Sequence, residues 1–345
     1  MNSNNFWKNK NVIVTGHTGF KGSWLVNLLK YLDSNIVGIS REKYEGIYKL
    51  SSVSQLLEDE IFIDISKDID IPEKLFKSFQ PDIVFHFAGQ SLVPVGYSNP
   101  LDTINTNIVG TYNVLNYFDK FDSVNSIVVS TTDKVYLNPN NLNVETSTLG
   151  GKDYYGASKA SAEFIISSFL NNNPSTNISV VRSGNVLGGG DRAFKRLVPD
   201  LIKAIKLNQD FEIRQPNSVR PWQYVLDSLL GYLYVAEENY TNSISEIYNL
   251  NSSVNNQYTA GYIVDKFNKI WGTNINIIES KDKSFKEVDI LNLDSSKAKD
   301  KLNWSPKLEI EDLIELIVNW EKAHIKDIDD KYTLNEINNY FSLFN

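Results

Sequence analysis

Val12-Ile13-Val14-Thr15-Gly16-His17-Thr18-Gly19-Phe20-Lys21-Gly22-Ser23-Trp24-Leu25 is the stretch on which the fold turns. Residues 12–15 are a β-branched run with the character of a buried strand. From Trp24 onward, Leu25, Leu28, Leu29 and Leu32 recur at the spacing of one helix face. Gly16, Gly19 and Gly22 lie between the two. An ordinary strand-to-helix turn rarely needs three glycines. Glycines allow a tight turn and close backbone approach to a pyrophosphate, and the helix N-terminus adds free N–H groups and a positive dipole end. The spacing is G-x-x-G-x-x-G rather than G-x-G-x-x-G, so the placement between strand and helix carries the weight. This turn, with Thr18 and Phe20, is the candidate dinucleotide site.

Outward from the turn, residues 35–40, 61–65, 82–87, 126–131 and 178–182 read as further strands. Residues 101–118 and 155–170 read as helices between them. Such alternation predicts right-handed βαβ crossovers and an α/β, Rossmann-like, doubly wound parallel sheet. After Ser183 the rhythm changes, with Pro199, Pro216 and Pro221 as punctuation and an amphipathic helix at 308–323 as the last element. The expected division is a dinucleotide-binding domain at 1–183 and a smaller mixed α/β lobe for the sugar nucleotide at 184–345. That boundary is approximate, and C-terminal segments are allowed to return to the first domain.

Composition narrows the chemistry. The chain has 345 residues and no cysteine, which excludes disulfides, thiolate nucleophiles and Cys-ligated metal. Three scattered histidines, His17, His86 and His324, argue against a histidine metal site, and none is expected. The formal charge of −8 and the lack of a basic run argue against a nucleic-acid partner. No segment approaches the roughly 18 apolar residues of a membrane span. Residues 1–10 are polar, so a soluble cytoplasmic protein is expected.

Tyr155 and Lys159 are four apart at the start of a predicted helix, so they share one face. An ammonium beside a phenol favours phenolate, and a phenolate can take a hydroxyl proton while hydride leaves the adjacent carbon. Ser130-Thr131-Thr132-Asp133-Lys134 closes the fifth strand, where ligands of open α/β sheets bind. The second strand runs into Arg41 rather than an acid for a ribose 2′-hydroxyl, leaving NAD and NADP both open. Asp64, at the end of the third strand, is placed to meet an adenine amino group or to cap the strand end.

With these residues in hand, the chain resembles the extended short-chain dehydrogenase/reductases, and among them the CDP-glucose 4,6-dehydratases. The likeness rests on the glycine turn, Thr132-Asp133-Lys134-Val135-Tyr136, Tyr155-Gly156-Ala157-Ser158-Lys159-Ala160, Gly184-Asn185-Val186-Leu187-Gly188-Gly189-Gly190-Asp191, Arg220-Pro221-Trp222-Gln223 and Leu293-Asp294-Ser295-Ser296-Lys297-Ala298. The lysine after the aspartate and the R-P-W-Q stretch are its specific parts. The resemblance implies bound NAD, CDP-glucose or a related nucleotide hexose as substrate, and CDP-4-dehydro-6-deoxy-D-glucose as product. In that cycle Tyr155 deprotonates the C4 hydroxyl, Thr132 (with Thr131 as alternative) holds the C4 oxygen, and Asp133 is the acid at C6. Lys134 is either the C5 base or an enolate stabiliser. Ile65, Phe87, Ala88, Gly89 and Asn107 join the expected cofactor set. Gln90, Tyr97, Asn185, Arg192 and Arg220 are the substrate candidates. Gly89 stands where the family often has alanine. A homodimer through a bundle of the helices at 101–118 and 155–170 is also implied.

Two rival functions differ in what they require. An epimerase or reductase of the same superfamily keeps Tyr155 and Lys159 but has no need of Asp133 and Lys134. A non-enzymatic dinucleotide-binding protein needs none of the four.

Overall fold

The β-branched runs of the first half become adjacent parallel strands. The computed structural model describes residues 4–252, 258–280, 288–325 and 331–343. Its main sheet contains β1 (Asn11–Thr15), β2 (Asn35–Ser40), β3 (Asp59–Phe62), β4 (Ile83–His86), β5 (Ser126–Thr132), β6 (Asn177–Ser183) and β7 (Ile247–Leu250). The order across the sheet is β7-β6-β5-β4-β1-β2-β3, and every pairing is parallel. The chain winds one way from β1 to β3 and the other from β4 to β7. A crevice therefore opens beyond the carboxyl ends of β1 and β4, where the order reverses.

Central strands are covered on both faces, so apolar side chains point both ways. Val12 and Val14 face a core with Trp24, Leu28 and Leu29, while Ile13 faces another with Val84, Ile127 and Val129. At the edge, β3 begins and ends earlier than the expected 61–65. Its residues are half exposed, so no apolar run marks it, and its register (Val37 opposite Asp59) is set by β2.

Two helical features depart from the sequence reading, and one strand shows the allowed return of a C-terminal segment to the first domain. The helix expected at 101–118 is a helical turn Pro100–Ile104, a π-helical turn Asn105–Val109 and α2 (Gly110–Phe118), following α1 (Phe20–Tyr31). β7 comes from the second half of the chain and completes the first-half sheet beside β6. The helix expected last, α6 (Ile310–Ile325), is followed by α7 (Tyr332–Ser342). α7 returns to α1, with Phe341 stacked on Tyr31 at 5.3 Å. Between these lie α3 (Tyr154–Leu170), α4 (Leu197–Leu207) and α5 (Val225–Asn242). Among the described residues, no helix is long and apolar enough to cross a membrane.

The loop after β6 is drawn onto the first layer. Trp24 Nε1 donates to the Gly189 carbonyl at 2.9 Å, and a Cβ on Gly189 would lie 2.3 Å from the Trp320 ring. The glycines at 188–190 thus let this loop pass between two tryptophans from opposite ends of the chain.

Candidate active site

A cavity of about 940 Å³ runs along the carboxyl ends of β1, β4 and β5. That lies in the upper range of small-molecule sites. Gly16, Thr18, Gly19, Phe20, Gly22 and Arg41 line one end, and Asp64, Ile65, Phe87, Ala88 and Gly89 continue along it. Thr132, Asp133, Lys134, Tyr155 and Lys159 line the other end with Gln90, Asn185, Arg192 and Arg220. Tyr97 and Asn107 lie outside the lining.

The turn is a backbone cradle. Gly16 has φ +77°, and a Cβ there would sit 2.6 Å from the Ala88 amide nitrogen. A Cβ on Gly22 would sit 2.1 Å from the Gly16 carbonyl oxygen. Side chains at these two positions would fill the space or open the turn, so the residues fit a pyrophosphate held by backbone at the start of α1. His17 is structural: Nε2 meets Glu60 Oε1 at 2.8 Å and Nδ1 meets Ser40 Oγ at 3.0 Å, tying the turn to β2 and β3. Asp64 accepts from the Ser66 amide and hydroxyl, the capping arrangement. Arg41 lies 3.5 Å from Asp102 and 3.7 Å from Glu42, so its charge is already matched by two carboxylates.

The catalytic end is built from side chains. Asp133 is buried, and its Oδ1 accepts from the Thr132 hydroxyl at 2.9 Å. Asp133 Oδ2 is buried with no hydrogen-bond partner. Burial raises the Asp133 pKa, opposed by Lys134, the Thr132 hydroxyl and Arg220. Such an acid is set up to carry a proton into the cavity. The neighbouring Thr131 hydroxyl is spent on Glu163 at 2.7 Å, leaving Thr132 as the hydroxyl beside the acid. Glu163 also receives Arg182 Nε at 3.0 Å, which clamps α3 to β5 and β6.

Tyr155 is buried, and burial pushes its pKa up to about 12 against the Thr132 hydroxyl and Arg196. The sequence reading has Lys159 lowering this pKa. Here the Lys159 ammonium instead donates to the Ser130 carbonyl at 3.0 Å, and burial brings its own pKa down to about 8. Gly89 explains part of that placement: a Cβ there would come within 3.2 Å of Lys159 Nζ and 3.0 Å of Asn107 Oδ1.

Asn107, on the π-helical turn, braces the site from behind. Its Oδ1 accepts from the Gln90 amide at 2.8 Å, and its Nδ2 donates to the Gln90 carbonyl and to Ser158 Oγ, both at 2.9 Å. A π-turn re-aims one side chain within a helix, which is why regular spacing does not disclose it. The Gln90 side chain donates to Thr103 rather than standing free. Tyr97 is exposed and packs edge-on against Tyr154. Arg220 is buried and donates to the Val219 and Asp289 carbonyls, with its charge acting on Asp133. Arg192 gives both terminal nitrogens to Glu321, at 2.6 and 2.8 Å, and Lys206 reaches the same carboxylate. Its guanidinium is thus committed to α6.

Three residues escaped the sequence reading. Arg196 spans the cavity mouth, bonding Asp191 at 3.2 Å and Ser91 Oγ at 3.0 Å. Lys21 and Tyr232 meet at 2.8 Å beside Ser130. Only the lysine inside the glycine turn carried any local signal. Among the described residues, no group of three His, Asp or Glu side chains is arranged to hold a metal. His86 is a core residue held by Thr15 and Thr111, and burial brings its pKa down to about 3.

Residues 13–317 match the family described as GDP-mannose 4,6 dehydratase. The CDP-glucose 4,6-dehydratase of Salmonella typhimurium is 37% identical over 342 residues, covering 94% of each chain. The UDP-glucose 4-epimerase of Lactobacillus helveticus is 26% identical over 93% of this chain and 99% of its own. Among solved structures, UDP-glucose 4-epimerase from Bifidobacterium longum in complex with NAD+ and UDP aligns with TM-score 0.79 at 23% identity, over 92% of this chain and 99% of that one. The dTDP-glucose 4,6-dehydratase from Bacillus anthracis in complex with NAD aligns with TM-score 0.75 at 21% identity, over 92% and 98%. At these identities the solved structures establish the fold.

Proposed function

The chain belongs to the GDP-mannose 4,6 dehydratase family, and on that footing we propose that it converts CDP-glucose to CDP-4-dehydro-6-deoxy-D-glucose and water. The observation that carries this reading is the buried, half-satisfied Asp133 between Thr132 and Lys134, in one cavity with Tyr155. An enzyme that only oxidises and reduces a carbinol needs Tyr155 and Lys159 but no such acid. The CDP base and the glucose follow from the Salmonella relative and from Lys134 after the aspartate.

NAD is the proposed cofactor. The cradle at Gly16 and Gly22 suits its pyrophosphate, and the ion pairs of Arg41 leave little call for a 2′-phosphate. Bound there, NAD supplies a hydride acceptor that is cationic when oxidised. Tyr155 takes the C4 hydroxyl proton, helped against its burial by that positive charge, by the Thr132 hydroxyl and by Arg196. Thr132 holds the C4 oxygen, and Asp133 protonates the departing C6 oxygen. Lys134 faces C5, as a neutral amine taking the proton or as a cation holding the enolate. Asn185 and Arg220 serve the sugar nucleotide, with Arg192 holding the loop through Glu321.

The two-lobed division at about residue 183 belongs to this reading, with β7 returned to the sheet. So does a homodimer. Leu101, Tyr112 and Phe164 are 65%, 46% and 60% exposed on the helices around 101–118 and 155–170, apolar side chains available to a second copy. Soluble nucleotide substrates suit a cytoplasmic protein.

The test is a panel of CDP-, dTDP-, GDP- and UDP-glucose with mass detection. CDP-glucose should yield a product lighter by one water with no net consumption of cofactor. Conversion of another nucleotide glucose while CDP-glucose is left untouched would overturn the substrate assignment.

A further inference from the structure

Lys21 starts in the phosphate turn but ends at the redox centre. Its Nζ donates to Tyr232 Oη at 2.8 Å and to Ser130 Oγ at 3.4 Å. Those two oxygens are themselves 2.7 Å apart. The Ser130 carbonyl receives Lys159 Nζ. Two ammonium groups from helices far apart in the chain thus converge on one residue of β5, two positions before Thr132. The rings of Tyr232 and Phe87 lie 4.4 and 5.2 Å from Lys21 Nζ. Among the described residues Lys21 forms no ion pair. Hydroxyls and ring faces stabilise a cation without cancelling its charge. Burial, with Lys159 and Arg196 nearby, brings the Lys21 pKa down to about 7, so Lys21 carries this charge below that pH and gives it up as pH rises through it.

We propose that Lys21 is a positioning residue for the redox step, whose unmatched charge beside Lys159 weights a bound nicotinamide toward its reduced form. This rests on the NAD reading above. In the oxidation, C4 of the hexose gives up a hydride (one proton and two electrons) to the ring, and the hydroxyl proton passes to Tyr155. The ring goes from one positive charge to none. Below about pH 7, where Lys21 is charged, it opposes only the oxidised ring, so it favours the first hydride transfer and restrains the second. A lysine with a purely packing role would hold both forms equally.

Binding of NAD+ and NADH to the purified full-length protein at about pH 6, where Lys21 is charged, tests this, with NADH followed by fluorescence and NAD+ by competition. Lys21→Met should lower the preference for NADH over NAD+ by about tenfold, the effect of one unit charge about 12 Å away at an effective dielectric of about 20. Lys21→Arg should retain the preference. Lys21→Gln, which can still donate to Tyr232, carries the same expectation if Lys21→Met does not fold. An unchanged preference in the neutral variants, with both nucleotides still bound, would overturn the role of Lys21 alone. Failure of the wild-type protein to bind either nucleotide would overturn the NAD reading along with it.

Discussion

The glycine turn and the carboxyl end of β5 face one cavity but are made in opposite ways. The turn works by lacking side chains: Gly16 and Gly22 leave room that no Cβ could share, and the binding groups are backbone N–H and a helix end. The β5 end works by crowding side chains into a buried space. Lys21, Lys159, Asp133 and Tyr155 all have pKa values moved chiefly by burial. In the proposed reading the first region recognises a shape common to all dinucleotides. The second sets protonation states, and those choose among reactions. Binding and chemistry should therefore come apart under mutation.

The largest effect is expected at Tyr155. Tyr155→Phe removes the proton acceptor and little else, so turnover should fall by about 10²- to 10⁴-fold, the usual worth of a general base. Cofactor affinity, measured by titration, should stay within about threefold, since a lost phenol hydroxyl leaves the cradle intact. Substantial turnover in this variant would remove the distinction between the two regions. A smaller and opposite result is expected at Gly22. In Gly22→Ala the new Cβ collides with the Gly16 carbonyl, and such overpacking typically costs about 1–3 kcal/mol. Its thermal unfolding midpoint should drop and cofactor affinity should weaken about tenfold. If Gly22→Ala bound cofactor normally, the turn would not be the cradle.

The same contrast explains what could be read from the sequence. The cofactor half was legible because its signals are local: a β-branched run, three glycines and a helical face lie within about twenty residues. Strands buried on both faces announce themselves as apolar runs. The short β7 does not, since Asn249 sits buried in its middle and donates to the Asn143 and Asp294 carbonyls. The catalytic end was legible in its members but not in its wiring. Adjacency puts Thr132 beside Asp133, and in the structure the Thr131 hydroxyl is engaged with Glu163. Lys21 meets Tyr232 across 211 positions, and Arg192 meets Glu321 across 129. No spacing rule reaches that far. A guanidinium that looks free for a diphosphate in sequence is here the anchor of α6. Likewise the expected phenol–lysine pairing in one helix gives way to a lysine drawn to the Ser130 carbonyl, because a buried ammonium takes the nearest good acceptor.

The central claim is that one cavity oxidises, dehydrates and reduces the same hexose, with the hydride kept inside. CDP-glucose carrying deuterium at C4 measures that directly. The product should be lighter by one water and should hold the deuterium at C6, with none in free reduced cofactor. Deuterium retained at C4, or released in NADH, would contradict it.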